Sequence, residues 1–157
     1  MLLLALALQT TPVAPMEKGT ALPPPGTEEA AVLAPVTALL AAIAANDPAA
    51  AAATLRPDGA ATIAVEGPNG TRTIRHAPFA ELPARLTAGT GRAEERLGMP
   101  AIEIDGDIAM VWAPYTLLID GKPDHCGTDH FSLARENGQW RIAALSWTSR
   151  TTGCTAP

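Results

Sequence analysis

TEEAAVLAPVTALLAAIAANDPAAAAATLRPDG, residues 27–59, is the stretch whose reading decides the fold. Thr27 can cap a helix, and Glu28 and Glu29 then occupy its first turn, where the helix dipole favours anions. Val32, Val36, Leu39, Leu40 and Ile43 follow helical spacing and form one apolar stripe. Pro35 lies inside this pattern and predicts a kink or a later start. Asn46-Asp47-Pro48 reads as a stop followed by a new start, with Asp47 as cap and Pro48 at the first helical position. A short second helix over 49–55 then ends at Arg56-Pro57-Asp58-Gly59. A helix of this length with one apolar stripe needs a broad surface to cover.

The rest of the chain supplies that surface. Residues 60–65 and 71–75 are strand-like and flank a Gly-Pro-Asn-Gly turn, a strong hairpin signal. Phe79, Leu82 and Leu86 have helical spacing, which predicts a short helix over 77–88 that Pro83 disturbs. Strands are predicted over 94–104, interrupted at Gly98-Met99-Pro100, over 108–119 with a bulge at Pro114, over 128–135, and over 139–149. Helices followed by a meander of strands indicate α+β. The expected architecture is a cone-shaped, curved antiparallel sheet wrapped around a long N-terminal helix, with a hollow at the open end.

Composition narrows the function. The 157 residues carry 11 Lys and Arg against 16 Asp and Glu, a formal charge of −5. That balance disfavours nucleic acid, whose binders cluster basic residues. No apolar run reaches the roughly 18–20 residues of a membrane helix, so no membrane association of the mature form is expected. The hydrophobic fraction of 47% includes 32 alanines, which bury little area. Five of the six aromatic residues, Trp112, Tyr115, Phe131, Trp140 and Trp147, lie between 112 and 147. A core thin on the helix side and bulky on the sheet side suits a cone with a cavity.

Residues 1–26 read as a signal-like segment, MLLLALALQ, followed by a linker rich in Pro and Thr. The segment lacks a basic start and is atypical. Export to a periplasmic or secreted location is the expectation, with a domain over 27–150 and a tail over 151–157. Cys126 and Cys154 are the only cysteines and can form a single bridge, closing a loop of 28 residues. A hairpin turning near residue 137 pairs positions that sum to about 275, which sets Cys126 opposite Ser149. A bridge therefore requires the tail to fold back over the strand end. The spacing permits it and does not dictate it.

Several motifs resemble the NTF2-like superfamily, which includes SnoaL-like cyclases and ketosteroid isomerase. They are Ile43-Ala44-Ala45-Asn46-Asp47-Pro48, then Leu55-Arg56-Pro57-Asp58-Gly59, then Phe79 after His76, and Gly138-Gln139-Trp140-Arg141-Ile142 opening the last strand. Tyr115, Asp120-Gly121-Lys122, His125-Cys126-Gly127, Asp129 and Phe131 are similar to a subgroup described as lumazine-binding or DUF4440-like. The resemblance covers residues 27–149 and implies the cystatin-like roll. It says little about chemistry, because one fold hosts enzymes and binders alike.

The favoured function is binding of a small apolar or aromatic ligand. Tyr115, His125 and Asp129 are the expected polar contacts, and Trp112 and Phe131 the expected walls. The alternative is an acid–base enzyme of SnoaL or isomerase type using Tyr115, His125 and Asp129 in the same pocket. A second alternative is a dimeric interaction module. Leu145 and Trp147 are its expected interface residues, and a homodimer is expected. No cofactor is expected. A metal site is not expected either. His125 and Asp129 share a strand face yet lie about 13 Å apart at strand rise, too far for one ion. Cys126 as nucleophile is disfavoured because its neighbour His125 points to the other face.

Overall fold

The computed structural model describes residues 21–154, so the signal-like segment lies almost wholly outside the described residues. Helix α1 spans Glu28–Ala44 and is capped by Thr27, whose hydroxyl accepts the Ala30 N–H at 3.2 Å. Pro35 does not break it. The donor that proline lacks would have served Ala31, which is exposed to solvent. Asn46 takes a positive φ of 52° and ends the turn. Asp47 then accepts from Ala49 and Ala50 at 3.0 and 2.9 Å and starts α2, Pro48–Thr54.

Seven strands follow: β1 Leu55–Glu66, β2 Arg72–Pro78, β3 Ala93–Leu97, β4 Ala101–Asp105, β5 Ile108–Ile119, β6 Lys122–Glu136 and β7 Gln139–Arg150. A short α3, Leu82–Leu86, sits between β2 and β3. The sheet order is β2-β1-β7-β6-β5-β3, and β4 pairs with β5 beyond β3. The break at Gly98 thus divides one edge into two strands lying in tandem along β5. The α+β fold with a helix against a large sheet is as expected. The sheet is mixed, however, because β1 runs parallel to β7.

Two irregularities shape the inner face. The expected bulge at Pro114 is absent, and Pro114 pairs in register with Thr128. Its carbonyl accepts the Gly98 N–H at 2.7 Å, and its missing donor falls at the break between β3 and β4. The β5–β6 shift occurs instead between Leu117 and Leu118. On β7 the register shifts between Ser132 and Leu133 of its partner, so Ala143 is the extra residue. A one-residue insertion exchanges the two faces of a strand. Trp140 and Ile142 before the bulge, and Leu145 and Trp147 after it, therefore all join the same apolar cluster.

The core packs Val32, Val36, Leu39 and Ile43 of α1 against Val111, Phe131, Leu133 and Ile142. Each such side chain contributes about 1.5–3 kcal/mol on burial. Arg135 anchors the start of the helix. It donates to Glu28 and to Asp107, both at 2.7 Å, and lies 4.9 Å over the Trp140 ring.

Candidate functional site

Alanine-rich helices and a sheet carrying the large side chains leave a gap between them. It is a cavity of about 410 Å³. Leu39, Leu40 and Ile43 of α1 form one side, with Leu86 of α3 at one end. Ile63, Leu117, Phe131, Leu145 and Trp147 form the sheet side. Into these apolar walls are set two carboxyls, Glu95 and Asp129, one imidazole, His125, and two guanidiniums, Arg75 and Arg85.

Glu95 was not among the sequence candidates. On β3, Glu94 and Arg96 pair with each other at 2.7 Å on one side of the strand. Alternation then turns Ala93, Glu95 and Leu97 to the other side. An acid in phase with Ala and Leu on a short strand is the signal that could have revealed it.

Glu95 and Asp129 are hydrogen-bonded to each other. Asp129 is buried, at 4% exposure, and its Oδ2 has no hydrogen-bond partner. Burial pushes the Asp129 carboxyl well above the usual carboxylate range, and the adjacent Glu95 charge and hydrogen bond push it further. Burial likewise raises Glu95, while the hydrogen bond from Asp129 works in the opposite direction. Asp129 is thus the partner that keeps its proton longer and donates it to Glu95.

The other candidates divide between the two faces. Phe131 is buried at 1% exposure and lines the cavity. His125 lines the cavity, and its Nδ1 lies 2.8 Å from Asp124 Oδ2. Tyr115 is buried behind the lining rather than within it. Its hydroxyl donates to the Thr148 carbonyl at 2.9 Å, and its ring meets His125 edge-on at 5.7 Å. Burial raises its hydroxyl pKa, and the charges of Asp129 and Glu95 add to the effect. The hydroxyl is therefore a neutral donor already in use. Trp112, expected as a wall, is outside the cavity. It alternates with Val111 and Ala113, which are fully buried, and is 40% exposed beside His130. Leu145 and Trp147, expected on an outer interface, line the cavity instead because of the bulge at Ala143.

Cys126 and Cys154 are joined, with Cα atoms 5.6 Å apart. The β6–β7 bulge sets Cys126 opposite Arg150, one residue beyond the expected partner. Gly153, at φ 69°, turns the tail back. Because Cys126 alternates with His125, the bridge closes the outer face of the sheet rather than the cavity rim.

A second hollow of about 440 Å³ lies between α2 and α3, lined by small apolar residues with Arg56 and Phe79. It carries no pair of interacting polar groups. Among the described residues no cluster of three His, Cys, Asp or Glu side chains is placed to hold a metal.

Comparison with known proteins agrees with this geometry. The family profile described as "Putative lumazine-binding" matches residues 27–148. No curated protein matches the chain. Among solved structures, a "Putative calcium/calmodulin dependent protein kinase II association domain" from Xanthomonas campestris superposes with a TM-score of 0.64 at 20% identity, covering 89% of this chain and 99% of that one. An NTF2-like protein with a cystatin-like fold from Novosphingobium aromaticivorans gives 0.61 at 14% identity over 82% and 84%. The beta subunit of a "putative aromatic-ring-hydroxylating dioxygenase" from the same species gives 0.63 at 14% identity over 80% and 91%. At these identities the likeness is one of fold.

Proposed function

The chain belongs to the family described as putative lumazine-binding, within the NTF2-like superfamily, and from that premise we propose that it binds a small, largely apolar ligand in the cavity between α1 and the sheet. The observation that carries this reading is the Glu95–Asp129 carboxyl pair set in the wall of an otherwise largely apolar cavity. A few polar groups among apolar walls are the arrangement of a pocket that orients its ligand by few polar contacts. The family description points the same way. The apolar lining supports a planar or aromatic body, and Asp129, Glu95 and His125 supply the polar contacts.

Binding of 2-naphthol, a neutral planar probe, followed by calorimetry, tests this reading. Saturable binding at one site per chain is expected, and Ile63→Trp, which fills the cavity, should abolish it. Absence of saturable binding in the wild type, together with no retained small molecule in native mass spectrometry of protein from its own source, would overturn the reading.

Acid–base catalysis in the same pocket is the second reading, and the carboxyl pair favours it. A carboxyl raised toward neutral pH is suited to taking a proton from a bound substrate and returning it. Deuterium exchange at the α-carbon of 2-tetralone, followed by NMR, checks it. Exchange no faster than in buffer counts against this reading and leaves ligand binding in place.

Export is proposed on the strength of the leading Leu/Ala run and the disulfide. Recovery of a full-length chain only from the cytoplasmic fraction would exclude it. Homodimerisation is proposed through the outer face, where Ile108 and Trp112 are exposed at 65% and 40%. A monomer in sedimentation equilibrium would rule it out.

A further inference from the structure

Four residues on neighbouring strands form one row across the cavity wall. Arg75 of β2 pairs with Ile63 of β1, Ile63 with Trp147 of β7, and Trp147 with Asp129 of β6. All four line the cavity. Directly paired residues in a sheet present their side chains on the same face, so the row is a continuous strip. Its ends are chemically opposite. Asp129 is buried and paired with the Glu95 carboxyl. Arg75 is exposed and makes no ion pair among the described residues, whereas the other guanidinium at the cavity, Arg85, is held by Glu81 at 2.6 Å. Between the ends lie an indole and a branched aliphatic side chain, a flat apolar floor.

The strip has a definite length. Three inter-strand steps separate the Arg75 and Asp129 backbones by about 14 Å. That span is on the scale of two fused aromatic rings with a polar group at each end. The cavity volume of about 410 Å³ also falls in the range of small-ligand pockets.

From this geometry we infer that the ligand is a flat aromatic carboxylate bearing a hydroxyl at its far end, which lies across β1, β7 and β6 with its anion on Arg75, its rings over Ile63 and Trp147, and its hydroxyl at the Glu95–Asp129 carboxyl pair. This inference rests on the ligand-binding reading and names its class. An arginine fork suits a carboxylate, and a partly desolvated one strengthens that contact. A cationic ligand fits the strip poorly, because its charge would face Arg75 and Arg85 at the open end. A purely apolar ligand would leave Arg75 unmatched.

Three related compounds test the inference by calorimetry on the intact, oxidised chain: 6-hydroxy-2-naphthoate, 2-naphthoate and 2-naphthol. The hydroxynaphthoate should bind at least tenfold more tightly than 2-naphthol. Arg75→Ala should lower its affinity to the 2-naphthol level and leave 2-naphthol unchanged. Arg75→Lys should keep part of the preference, and Arg85→Ala should keep most of it. The 2-naphthoate should bind more weakly than the hydroxynaphthoate, because it lacks the hydroxyl that meets the carboxyl pair.

Equal affinity for hydroxynaphthoate and 2-naphthol in the wild type would overturn the inference while leaving ligand binding intact. So would a carboxylate preference that survives Arg75→Ala, or equal affinity for the two naphthoates. If none of the three compounds binds, the inference falls together with the ligand-binding reading. Arg75 is on an exposed edge strand, so its variants are expected to fold, and 2-naphthol binding reports directly that they have.

Discussion

Replacing Asp129 by Asn should weaken a pH dependence of stability that the wild-type chain carries. In the unfolded chain the two carboxyls titrate near their ordinary values of 3.8 and 4.5. In the folded chain burial raises both, Glu95 to about 7 and Asp129 higher, and the neighbouring Glu95 raises Asp129 further. Between these limits the folded state binds more protons than the unfolded one. Stability must therefore fall as pH rises through this window, the opposite of the effect of a salt-bridged carboxylate. Below about pH 3 both states are protonated and the effect vanishes. Each retained proton costs about 1.4 kcal/mol per pH unit, so the Asp129 proton alone accounts for about 3 kcal/mol between pH 5 and pH 7, and Glu95 adds to it.

The Asn side chain keeps the shape, and its amide can donate to Glu95 as Asp129 does, so the variant loses the Asp129 contribution and keeps the burial of Glu95. Urea unfolding at pH 5, 6, 7 and 8 measures the difference. The wild type should lose at least about 3 kcal/mol from pH 5 to pH 7, and D129N about 3 kcal/mol less than the wild type. Carboxylates held by arginine, Asp58 and Glu94, are lowered and titrate below this window. Comparing the two proteins cancels whatever else titrates within it. A wild-type curve that is flat between pH 5 and pH 7, or an equal slope in D129N, would refute the shared-proton account.

Other outcomes follow from the packing. Cys126→Ala/Cys154→Ala opens a 28-residue loop and should cost roughly 3–4 kcal/mol in urea unfolding, with 2-naphthol affinity unchanged because the bridge faces away from the cavity; a loss below about 1 kcal/mol contradicts this. Gly127→Ala places a Cβ 1.9 Å from the Thr148 carbonyl oxygen, so β6 and β7 must separate. It should cost roughly 3 kcal/mol and raise amide exchange around residues 126–130, whereas Gly89→Ala, with open space around it, should be nearly neutral. Phe131→Ala should cost about 3–5 kcal/mol, and Trp112→Ser on the outer face less than about 1 kcal/mol. Equal melting shifts for these last two would reverse their assignment to inside and outside.

Local physics made much of the fold legible in the linear chain. The apolar stripe from Val32 to Ile43, the cap at Thr27 and the Asp47-Pro48 restart depend on contacts within a few residues. Helix boundaries therefore followed from spacing alone. Turns at Asn69-Gly70 and Asn137-Gly138 likewise carry their own backbone preference, and both glycines take positive φ. Phe131, His125 and Asp129 were assignable to one working face because they share parity on one strand.

Three features lay outside that reach. The parallel β1–β7 pairing joins segments some eighty residues apart, and nothing in either segment names its partner. The bulge at Ala143 arises from how β6 and β7 accommodate each other, yet one extra residue exchanges the faces of a strand. It turned Leu145 and Trp147 from expected interface to cavity wall. The Glu95–Asp129 pair spans two strands that do not touch in the ladder, brought together only by the curvature of the sheet. By itself, then, the sequence determined the elements, their order and the α+β class, because each depends on short-range periodicity and turn chemistry. Which side chains meet inside the cone was decided by tertiary structure alone, because that depends on register, bulges and curvature, which no single segment encodes.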